Sequence, residues 1–219
     1  MSEYRVAVVG ATGAVGTVMR QKLRERSFPA SEIVPFASER SAGKELDDGS
    51  IVQPLRDDTI QGFDIAIFSA GGSTSGEWGP RFVEAGATVI DNSSRWRRDP
   101  EVPLVVAEVN PEALEAHKGL IANPNCSTMQ LMVALKPIHE AAGIDRLMVS
   151  TYQSVSGTGV KAVRELEEQS RAALDGEPLP DPVVTLTPPF RRDARPRSGR
   201  RRARTPRGAR ARRGPPARP

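Results

Sequence analysis

The stretch 4-YRVAVVGATGAVGTVMRQKLRER-26 constrains the fold of this chain more than any other. A short apolar run, continuous as in strands buried on both faces, ends in a glycine. Residues spaced for a helix follow at once, with Val15, Val18, Met19 and Leu23 on one face. Strand, glycine turn and helix in that order make the first unit of a doubly wound parallel sheet. The glycines of 10-GATGAVG-16 recur every third residue. Gly10 permits the tight turn, Gly13 lets backbone approach a pyrophosphate, and Gly16 lets helix and strand close together. Ala11, Thr12, Ala14 and Val15 fill the rest of the cradle, and the phosphates rest on the helix N-terminus, where N–H groups and the dipole favour anions. Packing alone would also use three glycines, but the strand before and the helix after favour a dinucleotide.

The alternation continues. Strands are predicted over 33–37, 64–69, 88–91, 104–110 and 120–122, with helices over 79–85 and 111–117. Beyond them the pattern predicts a helix over 129–142, a long strand over 145–155 and an amphipathic helix over 159–174. The fold class expected is α/β, a doubly wound parallel sheet over residues 1–127 that forms a Rossmann-like dinucleotide domain. The beginning of an incomplete α+β domain follows over 128–184, and a basic tail over 185–219.

The net charge of +4 averages two unlike pieces. Residues 185–219 carry 13 arginines and one acid, Asp193, hence +12, which leaves −8 on the residues before them. Charge arguments about nucleic acid therefore attach to the tail alone. Contact there would be non-specific and salt-sensitive, with no interleaved aromatics to stack bases. Arg-Pro-Ala-Gly composition buries too little apolar surface to offset ordering, so residues 188–219 are expected to be disordered. The chain opens without a basic and apolar leader, and no apolar run is long enough to span a bilayer. With a single cysteine, this leads to the expectation of a cytoplasmic protein without disulfides, metal or membrane contact.

The choice of nucleotide turns on 37-ASERSAG-43, about 20 residues past the glycines. Glu39 would suit the ribose diol of NAD. Ser38, Arg40 and Ser41 would suit a 2′-phosphate, with Arg40 as charge partner, and NADP is the expectation adopted. The lone thiol, Cys126, lies in 123-NPNCST-128, where an asparagine can cap a helix starting near Ser127. A helix N-terminus favours thiolate over thiol, but a small buried residue would fit a lone cysteine equally well. The two histidines, His117 and His139, read as solvated helix residues, and neither is assigned as a base.

Taken together, GATGAVG, 69-SAGGSTS-75, 91-DNSSRWRRDPEVPLVVAEVN-110, 122-ANPNCSTMQ-130 and 152-YQSVSGTG-159 closely resemble the bacterial aspartate-β-semialdehyde dehydrogenase family, in order from about residue 4 to residue 184. The resemblance implies an NADP-dependent enzyme of amino-acid biosynthesis that reductively dephosphorylates β-aspartyl phosphate to the semialdehyde. Cys126 would attack the acyl phosphate and form a thioester. By position, Gln153 would orient the intermediate, Arg97 would bind the phosphate group, and Asn92 and Ser94 would line the same pocket. Ser69, Gly71, Gly72, Ser156 and Gly157 would lie along the nicotinamide half of the cofactor. Arg95 and Arg98 read as solvated neighbours of Arg97. The family forms homodimers through its second domain, and that association is expected to be impaired here. The family's downstream substrate-clamping arginine and acid-base histidine are not found. The text from residue 187 onward reads like a GC-rich gene out of frame, so a frameshifted or truncated product is expected. Two alternatives stand beside this reading: a relative acting on N-acetyl-γ-glutamyl phosphate, and a non-catalytic NADP-binding fragment.

Overall fold

The computed structural model describes residues 3–182, so the expectation of a disordered tail lies outside the described residues. Strand β1 (Tyr4–Val9) runs through the middle of the sheet, and its alternating side chains serve opposite faces. Val6 and Val8 join one apolar cluster, Ala7 and Val9 the other, and none of the four is exposed to solvent. A run without polar interruption was needed for this position, because the strand is covered on both sides.

The other strands are β2 (Ala30–Ala37), β3 (Gln53–Pro54), β4 (Ile65–Phe68), β5 (Thr88–Asp91) and β6 (Leu120–Ala122). They form one six-stranded sheet in the order β3-β2-β1-β4-β5-β6, with every pair parallel. The direction of winding reverses between β1 and β4. Loops leaving neighbouring strands there diverge to opposite faces and leave a crevice at the carboxyl edge.

Helix α1 (Ala14–Glu25) covers one face, with Met19 and Leu23 against Val6, Val8 and Ala11. Val15 and Val18, expected on the same apolar face, are each 50% exposed. The close approach of Gly16 to the Gly10–Ala11 turn fixes the helix rotation, and it turns Arg20 inward instead. Arg20 is buried and donates from Nη1 to Asp48 (2.6 Å) and Ser50 (3.1 Å), tying α1 to the loop before β3. Burial lowers its pKa, and Asp47 acts in the opposite sense.

Helix α2 (Gly72–Glu84) covers the other face. Its Phe82 is the centre of an aromatic cluster, edge-on to Phe36 (5.8 Å) and Phe68 (5.4 Å). The sequence pattern started this helix at residue 79, because 72-GSTSGEW-78 reads as loop. Those small residues are helical because the loop after β5 packs on them: a Cβ on Gly76 would fall 2.9 Å from Arg95 Nε.

Two predicted strands are absent. Residues 104–110 make one bridge, Leu104 to Ala122, and then turn. The Asn110 side chain closes the turn by accepting from Val106 N (2.9 Å) and donating to Leu104 O (3.0 Å). Val105 and Val106 are buried as a plug, not as a strand. Residues 145–155 meet no ladder partner among the described residues; they stay irregular up to Val155, which opens a 3-10 turn, Val155–Thr158. The predicted helix over 111–117 is a 3-10 turn, Pro111–Ala116. Helices α3 (Cys126–Ala142) and α4 (Val160–Asp175) complete the described part. No helix among the described residues is long and apolar enough to cross a membrane.

Candidate functional site

The turn after β1 is closed by backbone alone. Gly10 N and Ala11 N both donate to Phe36 O, at 2.9 and 3.0 Å, and Gly13 N donates to Gly10 O at 3.0 Å. Gly10 has φ +87°, and a Cβ there would lie 2.6 Å from Ser69 O. A Cβ on Gly16 would lie 2.2 Å from Gly10 O. Only glycine lets the loops after β1 and β4 meet at the reversal point. Helix α1 then follows its N-cap residue, Gly13, without a side-chain cap. An uncapped first turn beside a cleft is a ready anion site, so these residues fit the pyrophosphate of a dinucleotide.

The cleft has a volume of about 540 Å³ and lies over this turn. Gly10, Thr12, Gly13, Ser38 and Ser69 line it as the sequence suggested, whereas Arg40 and Ser41 do not reach its lining and sit on a 3-10 turn, Glu39–Ser41. Ala11 and Gly16 are buried beneath the turn. Glu39, Leu55, Thr74 and Trp78 also line the wall; the last three were missed by sequence reasoning, because Leu55 follows β3 and Thr74 and Trp78 lie on α2, both far in sequence from the glycine turn. A second cleft of about 280 Å³ shares Gly13 and Ser69 with the first. It brings together Ala14, Val15, Gly71, Asn92, Ser156 and Gly157 from four separate stretches of sequence. Gly72 lies behind it, with its Cβ position 3.8 Å from Arg95.

The loops after β5 and β6 are stapled together. Arg97 donates from Nε to Asn123 O (2.9 Å) and from Nη2 to Asn92 O (2.8 Å), and Asn123 Nδ2 donates to Asn92 Oδ1 (2.8 Å). Two edges of the Arg97 guanidinium are thus spent on backbone carbonyls. Ser94 is exposed. Beneath the loop lies a network the sequence reading did not assign. Asp91 and Ser75 are fully buried and hydrogen-bonded to each other, Trp96 Nε1 donates to Ser75 Oγ (2.8 Å), and Ser93 donates to Asp91 from both N (2.8 Å) and Oγ (2.6 Å). The signal was available in 91-DNS-93, since an aspartate two residues before such a donor builds an Asx turn.

Cys126 is the first residue of α3 and is exposed. Asn125 is the N-cap, its Oδ1 accepting from Ser127 N at 3.0 Å. Gln153 lies in the irregular segment, its side chain folded over Gly157. The two histidines have local duties: His117 Nδ1 accepts from Gly119 N (3.0 Å) and His139 Nδ1 from Ile144 N (3.2 Å).

The family described as semialdehyde dehydrogenase, NAD binding domain, matches residues 5–117, and its dimerisation domain matches residues 135–191. The aspartate-semialdehyde dehydrogenase of Aquifex aeolicus is 55% identical over 183 residues, covering 81% of this chain and 54% of that protein. The crystal structure of aspartate semialdehyde dehydrogenase II of Vibrio cholerae, complexed with ASA, superposes with a TM-score of 0.78 at 46% identity, covering 85% of this chain and 57% of that one. The Candida albicans enzyme with NADP gives a TM-score of 0.54 at 29% identity, covering 65% of this chain and 48% of that one. This chain spans about half the length of the curated relatives it matches. With the glycine turn, the reversal-point cleft and the capped cysteine helix all in place, the chain belongs to the semialdehyde dehydrogenase family.

Proposed function

We propose that the chain carries the NADP-binding part and the nucleophile of an aspartate-semialdehyde dehydrogenase, which converts β-aspartyl phosphate to L-aspartate 4-semialdehyde and phosphate. The observation that carries the reading is Cys126, exposed on the first turn of an Asn125-capped helix, beside the loop that holds Asn92 and Arg97. Residues 1–127 form the dinucleotide-binding domain, and 128–184 begin the catalytic and dimerisation domain. The protein works as a cytoplasmic enzyme on small molecules. Its dimer contacts belong to the second domain, and nucleic acid meets only the basic residues 185–219.

In this reading the Cys126 thiolate forms a C–S bond to the acyl carbon while the acyl C–O bond breaks and phosphate leaves. The positive end of α3 and the cation of Arg97 favour the charge that moves onto the phosphate. Asn92 and Ser94 hold the acyl phosphate, and Gln153 orients the acyl group on sulfur. Gly10, Thr12, Gly13 and Ser38 hold the pyrophosphate and adenosine side of the cofactor, and Ser69, Gly71, Gly72, Ser156 and Gly157 its nicotinamide side. When bound, NADPH supplies a hydride to the thioester carbon, and loss of the C–S bond then returns the thiolate.

The test runs in the oxidative direction on the full chain, with aspartate semialdehyde, phosphate and NADP⁺, and reads the growth of NADPH absorbance. Turnover that disappears in Cys126→Ser supports the assignment. NADP⁺ binding without turnover, unaltered by Cys126→Ser, would leave a nucleotide-binding fragment. Turnover with the N-acetylglutamate analogue and not with aspartate semialdehyde would move the substrate to the related reductase.

A further inference from the structure

The end of β2 carries an acid, Glu39, on the wall of the larger cleft beside Ser38. An unpaired acid at this point accepts the hydrogens of a ribose diol and repels a 2′-phosphate. Glu39 is not unpaired. Arg56, in the turn after β3, donates from Nε to Oε1 (3.1 Å) and from Nη2 to Oε2 (3.2 Å), so that both carboxylate oxygens are engaged.

The Arg56 turn is itself braced. Thr59 Oγ1 accepts from Arg56 N (3.1 Å) and donates to Pro54 O (2.8 Å), and Ile60 next to it is buried in the core. Leu55, the residue before Arg56, lines the same cleft. Arg40, beside Glu39, has no ion-pair partner among the described residues. The acid is thus occupied by Arg56, on which Asp58 also acts, and the Arg40 cation is left over. Both members of the Arg56–Glu39 pair are more than half exposed, so its contribution to stability is small. Its consequence is the sign of the charge at the ribose end.

We propose that Arg56 is a specificity-determining residue that makes this cleft accept a 2′-phosphorylated nucleotide, by holding Glu39 in an ion pair and leaving Ser38 on the cleft wall to meet the phosphate, with the Arg40 cation next to that wall. Arg56 acts through Glu39, as a positioning residue. This rests on the dinucleotide reading of the cleft and adds to it the residue that selects the nucleotide.

The experiment titrates NADP⁺ and NAD⁺ separately into the full 219-residue chain by calorimetry. The variants are Arg56→Ala, Glu39→Gln and the double substitution. Arg56→Ala is expected to weaken NADP⁺ by roughly tenfold, since it exposes a like charge to the phosphate, and to leave NAD⁺ as tight or tighter. Glu39→Gln is expected to keep NADP⁺ affinity, and the double variant to regain most of what Arg56→Ala lost. Equal losses for both nucleotides in Arg56→Ala would mean structural damage and overturn the proposal. So would a double variant that stays weak, because Arg56 would then act without Glu39. If the wild-type chain binds neither nucleotide, the reading of the cleft falls and the proposal with it. Should Arg56→Ala fail to fold, Arg56→Gln gives the same comparison.

Discussion

Arg20 and Asp48 illustrate how a buried charge is tolerated at the scale of a residue. Arg20 is 4% exposed, and its Nε has no hydrogen-bond partner among the described residues. Asp48 bonds Arg20 and also pairs with Arg24 on the next turn of α1. The two partners are therefore unequal. Asp48→Ala strands a buried guanidinium and is expected to cost about 3 kcal/mol in urea denaturation. Arg20→Met fills the same space without charge while Arg24 keeps Asp48 paired, and about 1 kcal/mol or less is expected. Equal losses in the two variants would show that the Arg20 contact, not charge burial, sets the energy. Arg20 also shows what periodicity misreads. Val15 and Val18 carry the apolar pattern, yet helix rotation is chosen by the backbone contact of Gly16, which no hydrophobicity count records.

At the scale of an element, α3 is the most exposed of the helices. None of its residues is buried, and its start depends on the Asn125 cap. Asn125→Ala is expected to cost about 1 kcal/mol of helix stability, read by circular dichroism on thermal melting. The same variant is expected to slow alkylation of Cys126 by iodoacetamide, because fraying of the first turn removes the aligned N–H groups around the sulfur. Unchanged alkylation would mean that the thiol reacts without help from the helix. The cap was legible in the sequence, because Asn-Pro-Asn before a helical run is a local signal. The missing strands at 104–110 and 145–155 were not. One lost its apolar run to a side-chain turn at Asn110, and the other has no neighbouring strand to pair with.

At the scale of the molecule, the described residues divide into a packed sheet domain and a loosely covered remainder. Val133, Ile138, Leu147, Met148, Val149 and Tyr152 are all more than 40% exposed, and Tyr152 is wholly so. An apolar surface of this kind is expected to drive self-association, read as concentration-dependent sedimentation of the full chain. Leu147→Lys with Met148→Lys is expected to reduce it while leaving NADP⁺ binding intact. A chain that stays monomeric across the concentration range would contradict this.

The first strand, the glycine turn and the cysteine cap were fixed by residues close together in the chain, where steric demand and capping act within a few positions. That is why the α/β class and the helix cap before Cys126 could be read directly. The tertiary structure alone decided which distant residues share a wall. Winding reverses between β1 and β4, which sets Ser69 against Gly10. Pairing of β2 with β3 lays Arg56 on Glu39, and packing of the segment after α3 brings Ser156 and Gly157 to the second cleft. Those pairings depend on parallel strand order and on packing across the sheet, whose energies come from contacts far apart in sequence.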